Sequence, residues 1–290
     1  MATNPYHQFV SSYAHLLAAG HSLPVGQLPL RGGAAPRREG PVALIFSPHP
    51  DDECIIGGLA LRLMRESKAR IVNVPVTLGS NPDRRQARLQ ELKKACDWLG
   101  FALDEPAPGG LDRINPQTRE NNRAHWADAV KSITTVLARH QPRAVFFPHE
   151  NDANSTHIGT HWLVMDALRT MPRDFECLAI ETEFWAPMAS PNLMVESNID
   201  DVAELVAALS LHAGEVRRNP YHLRMPPWLQ DNVRRGTELI GGHGSAAPDF
   251  NFATLYRLRR WEKGRLENVY SSGKQISAAQ TIAAVIPAFA

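Results

Sequence analysis

The feature that most constrains the fold is an alternation of short apolar runs with longer amphipathic segments between residues 42 and 185. The apolar runs have the length and continuity of strands buried on both faces of a parallel sheet, and they occupy residues 42–47, 69–79, 143–148 and 177–185. The amphipathic segments have helical spacing and lie at 55–68, 84–100, 125–140 and 156–171. This alternation predicts the α/β class, with a doubly wound, Rossmann-like, mostly parallel sheet and helices on both faces.

The two ends of the chain depart from this alternation. Residues 1–40 are interpreted as a helical lead-in that runs into a loop rich in Gly, Pro and Arg at 28–41. Beyond residue 195 the pattern loosens into one further helix at 201–218 and a mixture of helix and loops. The apolar tail is interpreted as a packing segment or an oligomer contact. We expect one domain over 41–290 with a variable C-terminal elaboration.

The amino-acid composition limits which binding partners and which cellular compartment we expect for this protein. The 31 basic and 30 acidic side chains leave a formal charge of +1, which argues against a nucleic-acid-binding surface over the whole molecule. The 3 cysteines lack CxxC spacing, so neither a disulfide framework nor a cysteine-rich zinc module is expected. The first residues lack the pattern of a signal peptide, and no apolar run is long enough to span a bilayer. These features predict a cytoplasmic protein that acts on a small molecule and is open to homo-oligomer formation.

Charged and imidazole side chains follow the first apolar run directly. His49, Asp51 and Asp52 stand where the carboxyl end of a strand meets the next helix, which is where ligands collect in open α/β sheets. Two consecutive aspartates on a turn point in different directions, so one could bind a metal while the other faces a metal-activated water. The alternative is an ordinary polar turn that caps the next helix.

A second group of such side chains follows the run at 143–148. His157 and His161 are four residues apart and would share one face of a helix, so both could bind one metal. For His161 we favour the alternative, a histidine of the helix surface or the core. His149 stands at the strand end and is expected to lie close to the site without coordinating.

The segment SPHPDDECIIGG, placed after an apolar strand, resembles the first motif of the PIG-L/LmbE-like zinc-dependent de-N-acetylases. The resemblance extends over residues 42–215 and includes the turn VTLGSN and the helix that ends in Leu-Gly. It implies that His49 and Asp52 bind zinc and that Asp51 is the general base. It also implies a hydrolase that removes an acyl group from an amide nitrogen, with one divalent metal per chain.

The second motif of that family, His-x-Asp-His or His-x-Asn-His, aligns with residues 152–157. The alignment implies His157 as the third ligand and leaves Asp152 near the site. Asn154 stands where the family has a histidine, and Thr156 where it has Asp or Asn. Asn154 can donate a hydrogen bond to an oxyanion, but it cannot supply a proton to the leaving amine. That proton comes either from Asp51 or from a histidine elsewhere, His161 or His212.

Two further side chains are assigned supporting roles. Glu53 is expected to orient the ligands or to cap the helix. Arg88 matches a family position on the substrate side of the pocket; a solvated helix arginine is the equal alternative.

The resemblance implies that the function is removal of an acetyl or other acyl group from an N-acetylglucosamine-type or other acylated amine. A ligand set of two histidines and one aspartate suits zinc and also iron or cobalt. The alternative is a family member with weak or no activity that acts as a binding or scaffold protein. A Gly-x-Ser-x-Gly elbow after a strand and a GxGxxG turn after the first strand are both missing from the sequence.

Overall fold

A central sheet organises the computed structural model, which describes residues 4–29 and 39–289. In this part of the chain the strands are β1 (Val42–Ser47), β2 (Arg70–Pro75), β3 (Ala102–Leu103), β4 (Ala144–Pro148), β5 (Cys177–Thr182), β6 (Leu193–Glu196), β7 (Ala253–Glu262), β8 (Arg265–Asn268) and β9 (Lys274–Ile276). They lie in the order β3-β2-β1-β4-β5-β7-β6-β9, with β8 paired to β7. Strands β1 to β5 are parallel, whereas β7 is antiparallel to β5, β6 and β8.

The helices cover both faces of this sheet. They are α1 (His7–Gly20), α2 (Asp52–Ile55), α3 (Leu59–Glu66), α4 (Pro82–Leu99), α5 (Pro116–Asn121), α6 (Arg123–His140), α7 (Ser155–Thr170), α8 (Ile199–Ser210), α9 (Ala213–Val216), α10 (Met225–Ile240) and α11 (Ile282–Val285). Along β1, Ala43 and Ile45 join a core cluster with α3, α4 and α8, whereas Leu44 and Phe46 join one with α6 and α7. Alternate side chains of one strand therefore enter two cores, and the predicted α/β fold is confirmed.

The order of the strands reverses direction at β1. The chain leaves β1 for β2 and β3 on one side and later returns to β4 and β5 on the other. Because β1 and β4 are parallel neighbours, their carboxyl ends lie side by side although about a hundred residues separate them. A crevice at such a switch point is the usual ligand site of open α/β sheets.

The C-terminal part is more regular than the sequence analysis expected, and strands β6 to β9 were not predicted. In β7, Arg257 and Arg259 interrupt the apolar pattern, but both pair with the buried Glu181 of β5. The strand predicted at 177–185 ends at Thr182. The prediction of a single helix over 201–218 is wrong, because the helix is interrupted at His212, between α8 and α9.

The ends of the described chain differ in how they pack. The predicted N-terminal helix is present as α1, which buries none of its side chains, while residues 30–38 of the predicted loop lie outside the described residues. The tail buries Ile276, Ile282, Ile286 and Phe289 in the core that also contains α3. Among the helices of the described residues, we find none with the length and apolarity needed to cross a membrane.

We predict that Tyr256 of β7 stabilises the turn between α2 and α3. Its buried hydroxyl donates to the carbonyl oxygen of Ile56 at 2.6 Å and accepts from the backbone N–H of Leu59 at 3.4 Å. Tyr256→Phe leaves these groups without that partner and should lower the free energy of unfolding by about 1–3 kcal/mol in urea denaturation. Tyr6→Phe, at an exposed tyrosine, should change it little; equal effects of the two variants would contradict this account.

Candidate metal centre

Three side chains from the carboxyl ends of β1 and β4 meet in a triangle of donor atoms. His49 follows β1, Asp52 is the first residue of α2, and His157 lies in the first turn of α7. Asp52 Oδ2 lies 3.4 Å from His49 Nδ1 and 3.3 Å from His157 Nε2. The two nitrogens are 3.3 Å apart. The fold therefore brings together the three residues that the sequence analysis chose as ligands.

The size of this triangle can be compared with a tetrahedral zinc site. Zinc bonds to imidazole nitrogen and carboxylate oxygen of about 2.0–2.1 Å imply spacings of about 3.3–3.4 Å between the ligand atoms of a tetrahedron. All three observed spacings fall at these values. The donor set of two imidazoles and one carboxylate, with Asp52 and His157 buried, fits a divalent metal that keeps one open position.

The turn that carries the two aspartates has an unusual backbone. Asp51 has φ of 114°, in the left-handed region that few residues other than glycine adopt. Its backbone N–H donates to Glu53 Oε2 at 2.9 Å, which holds this conformation. As a result the two neighbouring carboxylates diverge: that of Asp52 joins the triangle, and that of Asp51 faces Tyr221 and Arg88.

Glu53 is fully buried and supports the turn rather than joining the triangle. Its Oε1 lies 2.7 Å from His212 Nε2, and His212 is fully buried as well. Burial lowers the pKa of His212, but Glu53 and then Asp51 outweigh it, so that the pKa is raised. The break between α8 and α9 thus places His212 beneath the Asp51 turn, in contact with Glu53.

The carboxylate of Asp51 lies in a buried pocket of its own. Its Oδ2 accepts a hydrogen bond from the Tyr221 hydroxyl at 2.6 Å and lies 3.5 Å from Arg88 Nη2. Burial, followed by the charge of Asp52, raises the pKa of Asp51 to about 7. His212, Arg88 and Tyr221 act in the opposite direction. A carboxyl group that titrates near neutral pH can exchange protons with a substrate.

The ligand-type residues are polarised by their neighbours. Burial would raise the pKa of Asp52, but the charge and hydrogen bonds of His157 and His49 lower it. Conversely, burial lowers the pKa of His157, whereas Asp52 and Asp152 raise it. Asp152 Oδ1 lies 3.5 Å from His157 Nδ1. Its other oxygen accepts from the backbone N–H of Trp185 at 3.0 Å, so Asp152 is fixed where it can orient His157.

Asn154 is the N-terminal cap of α7. Its Oδ1 accepts from the backbone N–H of Thr156 at 2.8 Å. Asn154 lines an open cavity of about 520 Å³ together with His49 and Arg88. Since the amide oxygen is used by the cap, the amide nitrogen is the side-chain group that remains to donate to a molecule in this cavity.

Two other predicted residues lie apart from the triangle. His149 Nε2 bonds to the carbonyl oxygen of Ala186 at 3.0 Å, and the side chain is buried. His161 Nδ1 bonds to the carbonyl oxygen of Pro148 at 2.9 Å and lies 3.6 Å from Glu181 Oε1. Within the described residues, His161 therefore groups with Glu150 and Glu181 rather than with His157.

Arg88 is held against the turn that carries the two aspartates. Its Nη2 donates to the carbonyl oxygen of Pro50 at 2.8 Å, beside Asp51. It also lines the cavity that contains His49 and Asn154. The side chain is thus in a position to contact both Asp51 and a molecule in that cavity.

The sequence analysis missed the two aromatic residues closest to these groups. Tyr221 bonds to Asp51, from a short 3-10 turn 170 residues later in the chain. Phe184 packs edge-on against the imidazole of His157, with ring centroids 4.9 Å apart. Neither lies in a recognisable motif, and only the fold brings them to the site.

Comparison with known proteins supports the family assignment. Residues 44–168 match the model of the PIG-L family, described as GlcNAc-PI de-N-acetylase. No curated protein matches the chain in sequence.

Several solved structures share the fold. N,N'-diacetylchitobiose deacetylase from Pyrococcus horikoshii is 13% identical, with a TM-score of 0.55 over 89% of this chain and 94% of that chain. The 4-carboxy-2-hydroxymuconate hydratase GalB from Pseudomonas putida KT2440 is 19% identical, with a TM-score of 0.56 over 75% and 95%. A deacetylase of teicoplanin biosynthesis is 14% identical, with a TM-score of 0.54 over 76% and 98%. At these identities the likeness is one of fold. Together with the matched family model, the fold and the motif at its crevice identify residues 44–168 as a domain of the PIG-L family.

Proposed function

We propose that this chain is a metal-dependent hydrolase that removes an acetyl or other acyl group from an amide nitrogen. One divalent ion, zinc in our proposal, would be held by His49, Asp52 and His157. The observation that carries this proposal is the triangle of donor atoms with spacings of 3.3–3.4 Å, beside a separate buried carboxylate. A bound divalent ion would supply a Lewis acid for a water molecule and for the acyl carbonyl group.

Asp51 is the general base in this proposal. Its carboxylate accepts a proton from the attacking water and passes it to the nitrogen of the leaving amine. The hydrogen bond from Tyr221 and the nearby guanidinium of Arg88 hold the carboxylate in place. Glu53 and His212 act as positioning residues, because they fix the backbone of the turn from below. A proton shuttle by Asp51 requires no further acid.

Asn154 stabilises the oxyanion that forms when water adds to the amide carbonyl. Its side-chain oxygen already caps α7, so its amide nitrogen is the group that remains to donate. The cavity it lines also contains hydroxyl, amide and guanidinium groups from Thr77, Asn115 and Arg85. Such a lining suits a polar amine, and an N-acetylglucosamine-type compound is the substrate class we propose first, ahead of other acylated amines.

We also propose a cytoplasmic location and a domain organisation for the whole chain. Its three cysteines, Cys54, Cys96 and Cys177, are buried free thiols, which suits the reducing cytoplasm. The deacetylase domain would extend over 41–290, with 1–40 as a lead-in. The alternative is a weak or inactive family member that binds rather than hydrolyses. One of the solved proteins with this fold is a hydratase. A screen of acylated amines therefore has to detect both the free amine and the free carboxylate, because hydrolysis of the amide releases both.

We predict one divalent ion per chain after exposure to zinc. His49→Ala, Asp52→Ala and His157→Ala should each lower the metal content by at least about tenfold, because each removes one of three ligands. Metal analysis of the folded variants measures this, and His243→Ala, at a fully exposed histidine, is the control. Full metal content in the folded ligand variants would place the ion elsewhere.

We predict that Asp51→Asn keeps the metal and loses activity. An amide cannot accept the proton of the attacking water, so the rate of deacetylation should fall by about 10²–10⁴-fold. Metal content and amine release are measured on the same preparation. If the folded variant loses its metal instead, Asp51 is a ligand and the assignment of the two aspartates is reversed.

We predict that the two roles of Asn154 can be separated. Asn154→Asp keeps a good helix cap but removes the amide donor, so thermal stability should be kept while the rate falls by about 10²–10³-fold. Asn154→Ala should lose both the rate and about 1 kcal/mol of stability. If Asn154→Asp retains full activity, Asn154 serves only as a cap.

A further inference from the structure

A second cavity lies beside the candidate centre. It has a volume of about 390 Å³ and lies between α2, the segment after β5, and α10. Four aromatic residues, Phe184, Trp185, Tyr221 and Trp228, contribute to its wall. An apolar cavity of about 150 Å³ is large enough to bind benzene, so this one can hold a larger aromatic group or an alkyl chain.

Two residues of the cavity wall, Tyr221 and Phe184, contact the candidate reacting groups directly. Tyr221 lines it with its ring and donates its hydroxyl to Asp51 Oδ2 at 2.6 Å. Phe184 lines it and packs edge-on against the imidazole of His157. Ile55, at the end of the short helix that begins with Asp52, forms a third part of the wall. A group seated in the cavity would therefore contact Tyr221 and Phe184, the same side chains that contact the proposed base and the ligand triangle.

The charged side chains of the cavity wall do not require a charged ligand, because they are paired with protein groups or lie exposed at the rim. Arg235 donates to Glu183 at 2.7 and 3.0 Å, and Asp231 is paired with Arg234 at 2.7 Å. Arg224 is exposed at the rim. The rest of the wall consists of aromatic and aliphatic groups such as Met225 and Leu209. Burying an apolar surface here gains free energy without leaving a charge unpaired.

We infer that this cavity is a subsite for an apolar substituent of the substrate, aromatic or alkyl, attached close to the amide that is cleaved. The inference rests on the proposed function and adds to it a substrate with two unlike halves. A polar group would occupy the cavity lined by Asn154, and an apolar group the cavity lined by Tyr221. The apolar group can belong to the acyl half or to the amine half, since both meet at the same amide.

The test measures the binding of probes that represent the two halves. Acetate is compared with phenylacetate, 3-phenylpropionate and 4-phenylbutyrate, and ethylamine with the corresponding phenylalkylamines, by calorimetry on the metal-loaded protein. We expect at least one phenyl-bearing probe of one series to bind about tenfold more tightly than its short relative, because its ring is buried. The series that gains affinity identifies the half of the substrate that enters the cavity. Equal affinities in both series would overturn the inference.

Two variants and one control test whether the gain in affinity of the phenyl-bearing probe arises in this cavity. Ala186→Phe places a ring into the cavity and should remove the advantage of the phenyl-bearing probe, whereas Ala127→Phe, on an exposed face of α6, should keep it. Trp185→Ala should lower the advantage by about threefold or more, and the loss of this half-exposed side chain leaves the core intact. Thermal unfolding verifies that all three variants are folded. An advantage that persists in both Ala186→Phe and Trp185→Ala would place the ring outside this cavity.

Binding and hydrolysis measured on the same protein distinguish a failure of this inference from a failure of the proposed function. Hydrolysis of N-acetyl amines by a protein without any preference for phenyl-bearing probes would overturn the subsite and leave the hydrolase. Phenyl-dependent binding by a metal-loaded protein that releases amine from none of the matched phenyl-bearing and polar N-acyl amines would overturn the hydrolase, and with it the substrate role of the subsite.

Discussion

The left-handed backbone of Asp51 is the constraint on which the candidate site depends. The hydrogen bond from its N–H to Glu53 holds this conformation, and the contact of Glu53 with His212 fixes Glu53 in turn. With an ordinary helical start, the two carboxylates would leave the turn differently. The observed turn instead sends Asp52 towards two imidazoles and Asp51 towards a tyrosine hydroxyl. One strained residue thus separates the proposed ligand from the proposed base, in the way that strain is often stored at functional sites.

The parts of this arrangement that can be predicted from the sequence are those encoded locally. The run predicted at 42–47 is β1 with the same bounds, and the short segment that follows it contains His49, Asp51 and Asp52. His157 lies in the first turn of a helix that begins one residue before the predicted one. A strand end and the start of a helix are short-range features. The chemical role of the residues at such positions can therefore be predicted without knowledge of the fold.

The parts that could not be predicted depend on contacts between distant residues. Tyr221 reaches Asp51 across 170 residues, and nothing in its own surroundings marks it. Strand β7 was missed because its arginines suggest an exposed segment, although Arg257 and Arg259 both pair with Glu181, which is buried in the neighbouring strand. The break before α9 was missed because the apolar spacing continues through it, while His212 turns inward to Glu53. In each case a polar side chain is buried because its partner is supplied by another element.

Electrostatics links the ligand triangle to the base. Burial, together with the neighbouring charge of Asp52, raises the pKa of Asp51 to about 7, so its charged form is disfavoured. A divalent cation beside Asp52 would reverse the sign of that neighbouring charge and would favour the ionised form of Asp51. By linkage, ionisation of Asp51 would favour the cation to the same extent. The carboxylate needed as a base would therefore be most available when the three ligands are occupied, and Asp51 would contribute to metal affinity without touching the metal.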